Sequence, residues 1–454
     1  MRLEIEIALA RAAGRLSRLA GRGGGTTLPG KILATIDPGA MGALAARLPR
    51  GSALVSATNG KTTTAAIVAG IVGERVRLAH NRAGANLVSG VASALLAAED
   101  AELGLFEVDE GAFPEVSRRV RPQAVCLGNL FRDQLDRYGE LELIAERWRT
   151  AITELDPAAT AVVNADDPLL ADLARGRTNL IRFGIDDPAV ARERLPHAAD
   201  SKYCRACGAP YAYRAAYVGH LGDFACPNGH EARPPLEVVA RSIVLSGLEK
   251  VAFDLVTPHG VRHVSLPLPG LYNVYNALAA ASLALVLGAS LDDVEAGLGR
   301  FRAAFGRFER IPAGDRSVLL LLVKNPAGAN EVVRTLVDAG KLSRVLVALN
   351  DEIADGRDVS WIWDVDFEPL VQGMEEVIVS GARAEELALR FQYGDVPPEA
   401  IKVVKGLGAA LTYGIESTQP GGELVVLPTY TAMLALRRIA AERGLVRPYW
   451  EAAA

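Results

Sequence analysis

Leu54-Val55-Ser56-Ala57-Thr58-Asn59-Gly60-Lys61-Thr62-Thr63-Thr64 decides how the rest of the 454-residue chain is read. An apolar strand runs into a Gly-Lys-Thr turn, and a helix is expected from Ala65 to Val72. In that order the backbone N–H groups of the turn and the positive end of the helix face one anion. Lys61 reaches the outer phosphates and the Thr62 hydroxyl can ligate Mg²⁺. The stretch predicts a nucleoside triphosphate site built from Thr58, Asn59, Gly60, Lys61, Thr62 and Thr63. It departs from the general pattern at Val55, where a glycine five residues before Gly60 is usual. The competing reading is a polar strand-to-helix turn with a solvated lysine.

Around this stretch, short apolar runs alternate with helical ones: Val76–Leu78, Gly104–Val108, Ala124–Leu127, Ala161–Asn164 and Asn179–Phe183. Such alternation predicts an α/β fold with a mostly parallel sheet and helices on both faces, and ligands at the carboxyl ends of the strands. Polar clusters fall at those ends. Glu107-Val108-Asp109-Glu110 closes one strand, where a carboxylate can hold Mg²⁺. Asn129 to Gly139 follows the next strand, and Asn164-Ala165-Asp166-Asp167-Pro168 the one after. Each alone reads equally well as a helix cap; three in succession favour a site.

Composition bounds the remaining readings. Half the residues are hydrophobic and 23% are charged, enough for large packed cores. A net charge of −5 argues against a nucleic-acid binder. No run approaches a membrane span, and Arg and Glu interrupt the start, so a cytoplasmic protein is expected. Arg2, Arg11, Arg15 and Arg18 among Leu3, Ile5, Ile7, Leu9, Leu16 and Leu19 fit either a basic helix on a membrane surface or one packed on its own domain. Gly21 to Gly30 reads as a flexible break.

Three of the four cysteines fall between Cys204 and Cys226, which is no disulfide framework and suggests a local metal site. Cys204-Arg205-Ala206-Cys207 and Cys226-Pro227-Asn228-Gly229-His230, across a short hairpin, have zinc-ribbon spacing. His230 is the better fourth ligand and His220 the runner-up; three cysteines with a water would suit a catalytic ion, and a knuckle that has lost its metal is the remaining alternative. Cys126, in an apolar strand, is expected to be buried.

Beyond the ribbon, Val238–Leu245 and Val251–Thr257 read as strands. Gly270-Leu271-Tyr272-Asn273-Val274-Tyr275-Asn276-Ala277 then opens an Ala/Leu helix, with Asn273 and Asn276 on one face. Either they cap the helix or one presents its amide to a base. A domain boundary is expected at Ala303 to Pro312. A second, smaller doubly wound domain follows, with strands Val318–Val323, Arg344–Leu349, Glu376–Ser380, Ile401–Val404 and Leu424–Leu427. Between Asn350 and Glu368, seven acidic residues surround Trp361, Trp363 and Phe367. Acids alone would mean a solvated loop; the tryptophans suggest a docking surface.

The order of these motifs resembles the Mur ligase superfamily: Thr58-Asn59-Gly60-Lys61-Thr62, Glu107, Asn164-Ala165-Asp166-Asp167-Pro168, and Asn273 to Ala280. Ala57 stands where that superfamily usually has Gly. The resemblance is closer to its MurT branch, the ligase-like subunits of lipid II isoglutaminyl synthase, and covers nearly the whole chain. It rests on Asn81 to Asn86, Phe131 to Glu140, the ribbon at Cys204–His230, Lys324-Asn325-Pro326-Ala327-Gly328, and Asn350-Asp351 with Ala354 to Trp361. In that branch four cysteines hold the zinc; here Gly229 and His230 stand where a cysteine is expected.

The resemblance implies an N-terminal helical segment over 1–50, a P-loop ATPase central domain over 51–310 with the zinc ribbon at about 201–234, and a Rossmann-like, partner-binding domain over 311–454. It implies ATP-dependent amidation of the D-glutamate α-carboxylate of the lipid II stem through an acyl phosphate. Ammonia would come from a GatD-type class I glutamine amidotransferase subunit. ATP, Mg²⁺ and Zn²⁺ are the implied cofactors. Lys61 and Thr62 would serve phosphate and Mg²⁺, Glu107 Mg²⁺, and Asn276 and Arg307 the nucleotide. Cys204, Cys207, Cys226 and His230 would hold zinc. Asp358 would complete a Cys-His pair on the partner across the interface. The rival readings are an amino-acid-adding Mur or folylpolyglutamate-type ligase and a nucleotide-binding scaffold that regulates an amidotransferase.

Overall fold

The computed structural model describes residues 27–446 apart from 82–84, 134–139, 197–198, 303–306, 341 and 373, together with Glu4, Glu6, Ile7, Ala10 and Ala12; at Arg307 it describes the backbone alone. The basic positions of the first segment, Gly21 to Gly25, Arg82 to Gly84, Gln134 to Gly139 and the Arg307 side chain therefore lie outside the described residues. Ile7 and Ala10 are buried in the same core as Leu33 and Met41, so that side of the first segment packs on the protein. Among the described residues no helix is long and apolar enough to cross a membrane.

Buried apolar runs form the first six strands: β1 (Ser52–Ser56), β2 (Leu78–His80), β3 (Leu103–Val108), β4 (Ala124–Leu127), β5 (Thr160–Asn164) and β6 (Leu180–Ile185). A separate hairpin, β7 (Ala212–Val218) and β8 (Leu221–Ala225), interrupts them. The large sheet then resumes with β9 (Val238–Ser246), β10 (Lys250–Thr257) and β11 (Gly260–Leu266), in the order β11-β10-β9-β6-β5-β4-β1-β3-β2. Strands β2 to β9 of this sheet pair in parallel, whereas β10 and β11 extend it antiparallel. The winding reverses at β1, and that is where such sheets bind ligands.

Successive residues of a strand face opposite sides, so Ala53 and Val55 enter one core and Leu54 the other. The first core is covered by helices α1 (Lys61–Val72) and α2 (Leu271–Val286), the second by Val88–Ala97, Phe113–Val120 and Leu141–Thr153. Helix α2, rich in Ala and Leu, is buried on nearly every side, which lets it pass directly under the Gly60 turn.

The second sheet contains β12 (Arg307–Ala313), β13 (Arg316–Leu321), β14 (Arg344–Ala348), β15 (Glu376–Ser380), β16 (Ile401–Val403) and β17 (Glu423–Pro428), ordered β12-β13-β17-β14-β15-β16. All neighbours are parallel except β12 and β13. Helix α3 (Pro326–Ala339) leaves β13 toward the large sheet. Strand β12 spans the boundary expected at 310/311. Pro312 does not break it, because an edge strand has N–H groups to spare.

Candidate active-site cleft

The loop after β1 is held by its neighbours. Gly60 has φ +88°, and a Cβ there would lie 1.9 Å from the Asn276 Oδ1 on α2; only glycine fits. Asn129, just after β4, ties the loop down by accepting from the Asn59 N–H at 2.9 Å and donating to the Asn59 carbonyl at 2.9 Å. The Thr58 hydroxyl accepts from the Phe131 N–H at 3.1 Å. The turn is thus rigid before any ligand arrives, with the N-terminus of α1 aimed outward.

Lys61 is 6% exposed. Its Nζ donates to the Ala57 carbonyl at 3.0 Å and the Glu110 Oε2 at 3.1 Å. Burial opposes the charge on Lys61, but Glu110, Asp109 and Glu107 outweigh it and hold its pKa above the usual lysine value. Burial likewise disfavours the Glu110 carboxylate, yet Lys61 and Lys324 bring its pKa below the usual range. Sequence reading missed Glu110 as the partner of Lys61, since nothing in the spacing distinguishes it from Glu107.

Glu107, the penultimate residue of β3, has its backbone clamped by Asn81, which accepts from the Glu107 N–H at 2.9 Å and donates to the Glu107 carbonyl at 2.7 Å. Its carboxylate receives a long contact of 3.4 Å from the Asn86 amide. Thr62 and Glu107 line the same cleft, and their oxygens are the hard donors that Mg²⁺ prefers. Asn273 holds the Pro269 carbonyl at 2.7 Å, and Asn276 donates to the Asn273 Oδ1 at 2.9 Å.

The cleft, about 330 Å³, is lined on one side by Thr58 to Thr63, Glu107, Glu110, Asn129, Asp133 and Asn276. Its other side comes from the second sheet, with Lys324, Ala327, Gly328, Glu331 and Tyr430. Val218 and Leu221, at the turn of the β7–β8 hairpin, complete a third wall. The two halves are joined across it. Asn325 and Asn59 exchange amide hydrogen bonds at 3.0 and 3.1 Å, and Lys324 is ion-paired with Asp133. Arg192 is ion-paired with Glu331, and Arg334 donates to the Tyr217 carbonyl at 2.9 Å.

At the open end of the hairpin, Cys204, Cys207, Cys226 and His230 bring four ligand atoms within 4.8 Å of one another. Cys207 Sγ lies 3.5 Å from Cys226 Sγ, which lies 3.8 Å from the His230 Nδ1. Burial raises the Cys226 thiol, but the His230 N–H and ring bring it down to about 6, so it is readily a thiolate. Three thiols and an imidazole at this spacing fit a tetrahedral zinc set. His220 is not part of it: it is fully buried, 4.8 Å from the Phe131 ring and 3.4 Å from Asp167. Cys126 is buried in β4, its thiol raised by desolvation.

Asp358 is exposed and does not line the cleft. It accepts from the Ser360 N–H at 2.8 Å, and its hydrogen bonds with Ser360 hold its carboxyl below the usual range. Nearby, Trp361 packs on a core of the second sheet, whereas Trp363 is 48% exposed and meets the Tyr393 ring edge-on at 5.6 Å.

The family description Mur ligase middle domain matches residues 55–228, and MurT ligase C-terminal matches residues 322–433. The MurT subunit of lipid II isoglutaminyl synthase (glutamine-hydrolyzing) from Streptococcus pneumoniae is 32% identical over 98% of this chain and 99% of its own. The Staphylococcus aureus (strain N315) protein of the same name is 29% identical over 95% and 96%. Among solved structures, a pseudomurein peptide ligase type C from Methanothermus fervidus superposes with a TM-score of 0.69 at 19% identity, covering 88% of this chain and 80% of that one. At that identity the likeness concerns fold alone.

Proposed function

The chain belongs to the MurT family of Mur ligase-like proteins, and from that premise we propose that it is the synthetase subunit of a lipid II isoglutaminyl synthase. The reaction is ATP-dependent amidation of the D-glutamate α-carboxylate in the lipid II stem, giving D-isoglutamine. The observation that carries it is one cleft shared by the Lys61 loop and the Lys324 segment, which puts a phosphate-binding turn opposite a second wall that contributes Lys324 and Glu331. ATP is the co-substrate and yields an acyl phosphate on the substrate; ammonia displaces inorganic phosphate.

In this reading Thr58 to Thr63 cradle the phosphates through backbone N–H groups, and Lys61 stabilises the charge that develops on the transferred phosphoryl group. Thr62 and Glu107 hold Mg²⁺, which supplies electrostatic neutralisation when bound. Asn276 braces the loop beside the nucleotide. Lys61 leaves Glu110 when phosphate arrives, exchanging one buried anion for another. Cys204, Cys207, Cys226 and His230 hold a structural zinc. The ammonia source is a GatD-type glutamine amidotransferase, docked on the C-terminal part near Asp358 and the exposed Trp363, at the inner face of the cytoplasmic membrane where the lipid substrate lies.

The test is to purify the chain with its amidotransferase partner and supply lipid II, glutamine and ATP. Amidated lipid II should appear in step with ADP and phosphate. A pair that consumes no ATP under these conditions overturns the proposal.

A further inference from the structure

Asp133 is the carboxylate in the cleft whose surroundings the reading above leaves unexplained. It is buried, it lines the cleft, and its Oδ2 is ion-paired with Lys324 from the second sheet. Its Oδ1 has no hydrogen-bond partner among the described residues. A buried carboxylate oxygen left unpaired is costly, and where one persists at a site it awaits a donor. The charged groups that face Asp133 are Lys324 and Lys61, which attract, and Glu110, which repels. Burial is the largest influence and sets its carboxyl above the usual range. Phosphate cannot be the missing partner, since it brings acceptors rather than donors.

At the reacting centre itself, where the acyl phosphate offers only acceptors, the nitrogen nucleophile is the reactant that brings donors. Resting on the amidation reading, we propose that Asp133 Oδ1 binds the incoming ammonia and is the base that takes its surplus proton. The nitrogen lone pair forms the C–N bond to the acyl carbon. The C–O bond to phosphate then breaks with its electron pair, releasing inorganic phosphate. The tetrahedral adduct carries a positively charged nitrogen, which gives one proton to Asp133; Asp133 returns it to solvent when product leaves. A carboxylate whose affinity for protons is increased by burial is better suited to this than an exposed one. Lys324 is the positioning residue, fixing Oδ2 so that Oδ1 faces the acyl carbon.

Hydroxylamine separates the steps, because it captures acyl phosphates as hydroxamates without a strong base. The complex with its partner subunit is supplied with lipid II, ATP and Mg²⁺, and with either ammonium chloride or hydroxylamine. Asp133→Asn keeps an acceptor for Lys324 but cannot take a proton. It is expected to keep ADP release and hydroxamate formation close to wild type, while ammonia-dependent amidation falls by about 100-fold or more. Its pH–rate profile should lose the limb assigned to the base, and Asp133→Glu should restore part of the rate. Hydroxamate lost together with amidation overturns the proposal, because Asp133 would then serve activation or hold a cation. Amidation left intact overturns it too. Should Asp133→Asn not fold, Asp133→Glu, which keeps the pair with Lys324 but moves the free oxygen, must show the same split in milder form. If wild type forms neither ADP nor hydroxamate, the amidation reading itself fails.

Discussion

At the scale of single residues, the Gly60 turn and the Lys61–Glu110 pair carry the sharpest expectations. A methyl group at position 60 meets the Asn276 Oδ1 at 1.9 Å and sits at φ +88°. Gly60→Ala should therefore destabilise the chain by roughly 2–3 kcal/mol and weaken ATP binding, both readable by urea unfolding with and without nucleotide; a wild-type midpoint would refute the contact. Lys61→Ala removes the phosphate ligand and strands the Glu110 carboxylate. It should abolish ATP turnover and cost on the order of 3–5 kcal/mol without ligand, much of which Glu110→Gln on the same chain recovers. The pH dependence follows from the Glu110 carboxyl, whose folded value is depressed. Stability from the pair is fully present above the ordinary carboxylate range and is lost as pH falls through the depressed value. Lys61, Thr62 and Glu107 were legible because one short motif contains them or places them at a strand end. Glu110 was not, because its pairing depends on how β3 lies beside β1. Asp133 with Lys324 was not, because those two residues meet only when the two sheets do.

At the scale of elements, the alternating pattern located most strands of both sheets to within two or three residues. It missed β11 and β12. Strand β11 mixes Arg262, His263 and Ser265 among its apolar positions and lies at an edge, so it lacks a buried run. Strand β12 contains a proline that sequence reading takes as punctuation. The Cys-x-x-Cys spacing identified the β7–β8 hairpin and favoured His230 over His220; the fold then places His220 ten positions away at the opposite end of it, apart from the cysteines. Purified protein should hold one zinc. His230→Ala should lower the zinc retained against a chelator and depress the melting temperature, while His220→Ala should leave the zinc in place. Zinc lost equally from both variants would sink the ligand assignment.

At the scale of the whole molecule, the cleft exists only because the second sheet is drawn against the first by Asn325–Asn59, Lys324–Asp133 and Arg334–Tyr217. No local pattern reveals such contacts, so the sequence showed two sets of strand-end residues without showing that they share one cavity. Asp358 lies outside that cavity and is exposed, and the proposed docking of the amidotransferase puts it at the interface. Asp358→Asn is expected to abolish glutamine-dependent amidation and spare amidation driven by ammonium salts, measured on the purified complex; simultaneous loss of both would assign it another task.

The β7–β8 hairpin joins the thiol cluster at its base to Val218 and Leu221 in the cleft wall at its tip. If the proposed zinc holds that base, a chelator should loosen the tip as well and slow turnover while the polypeptide stays whole.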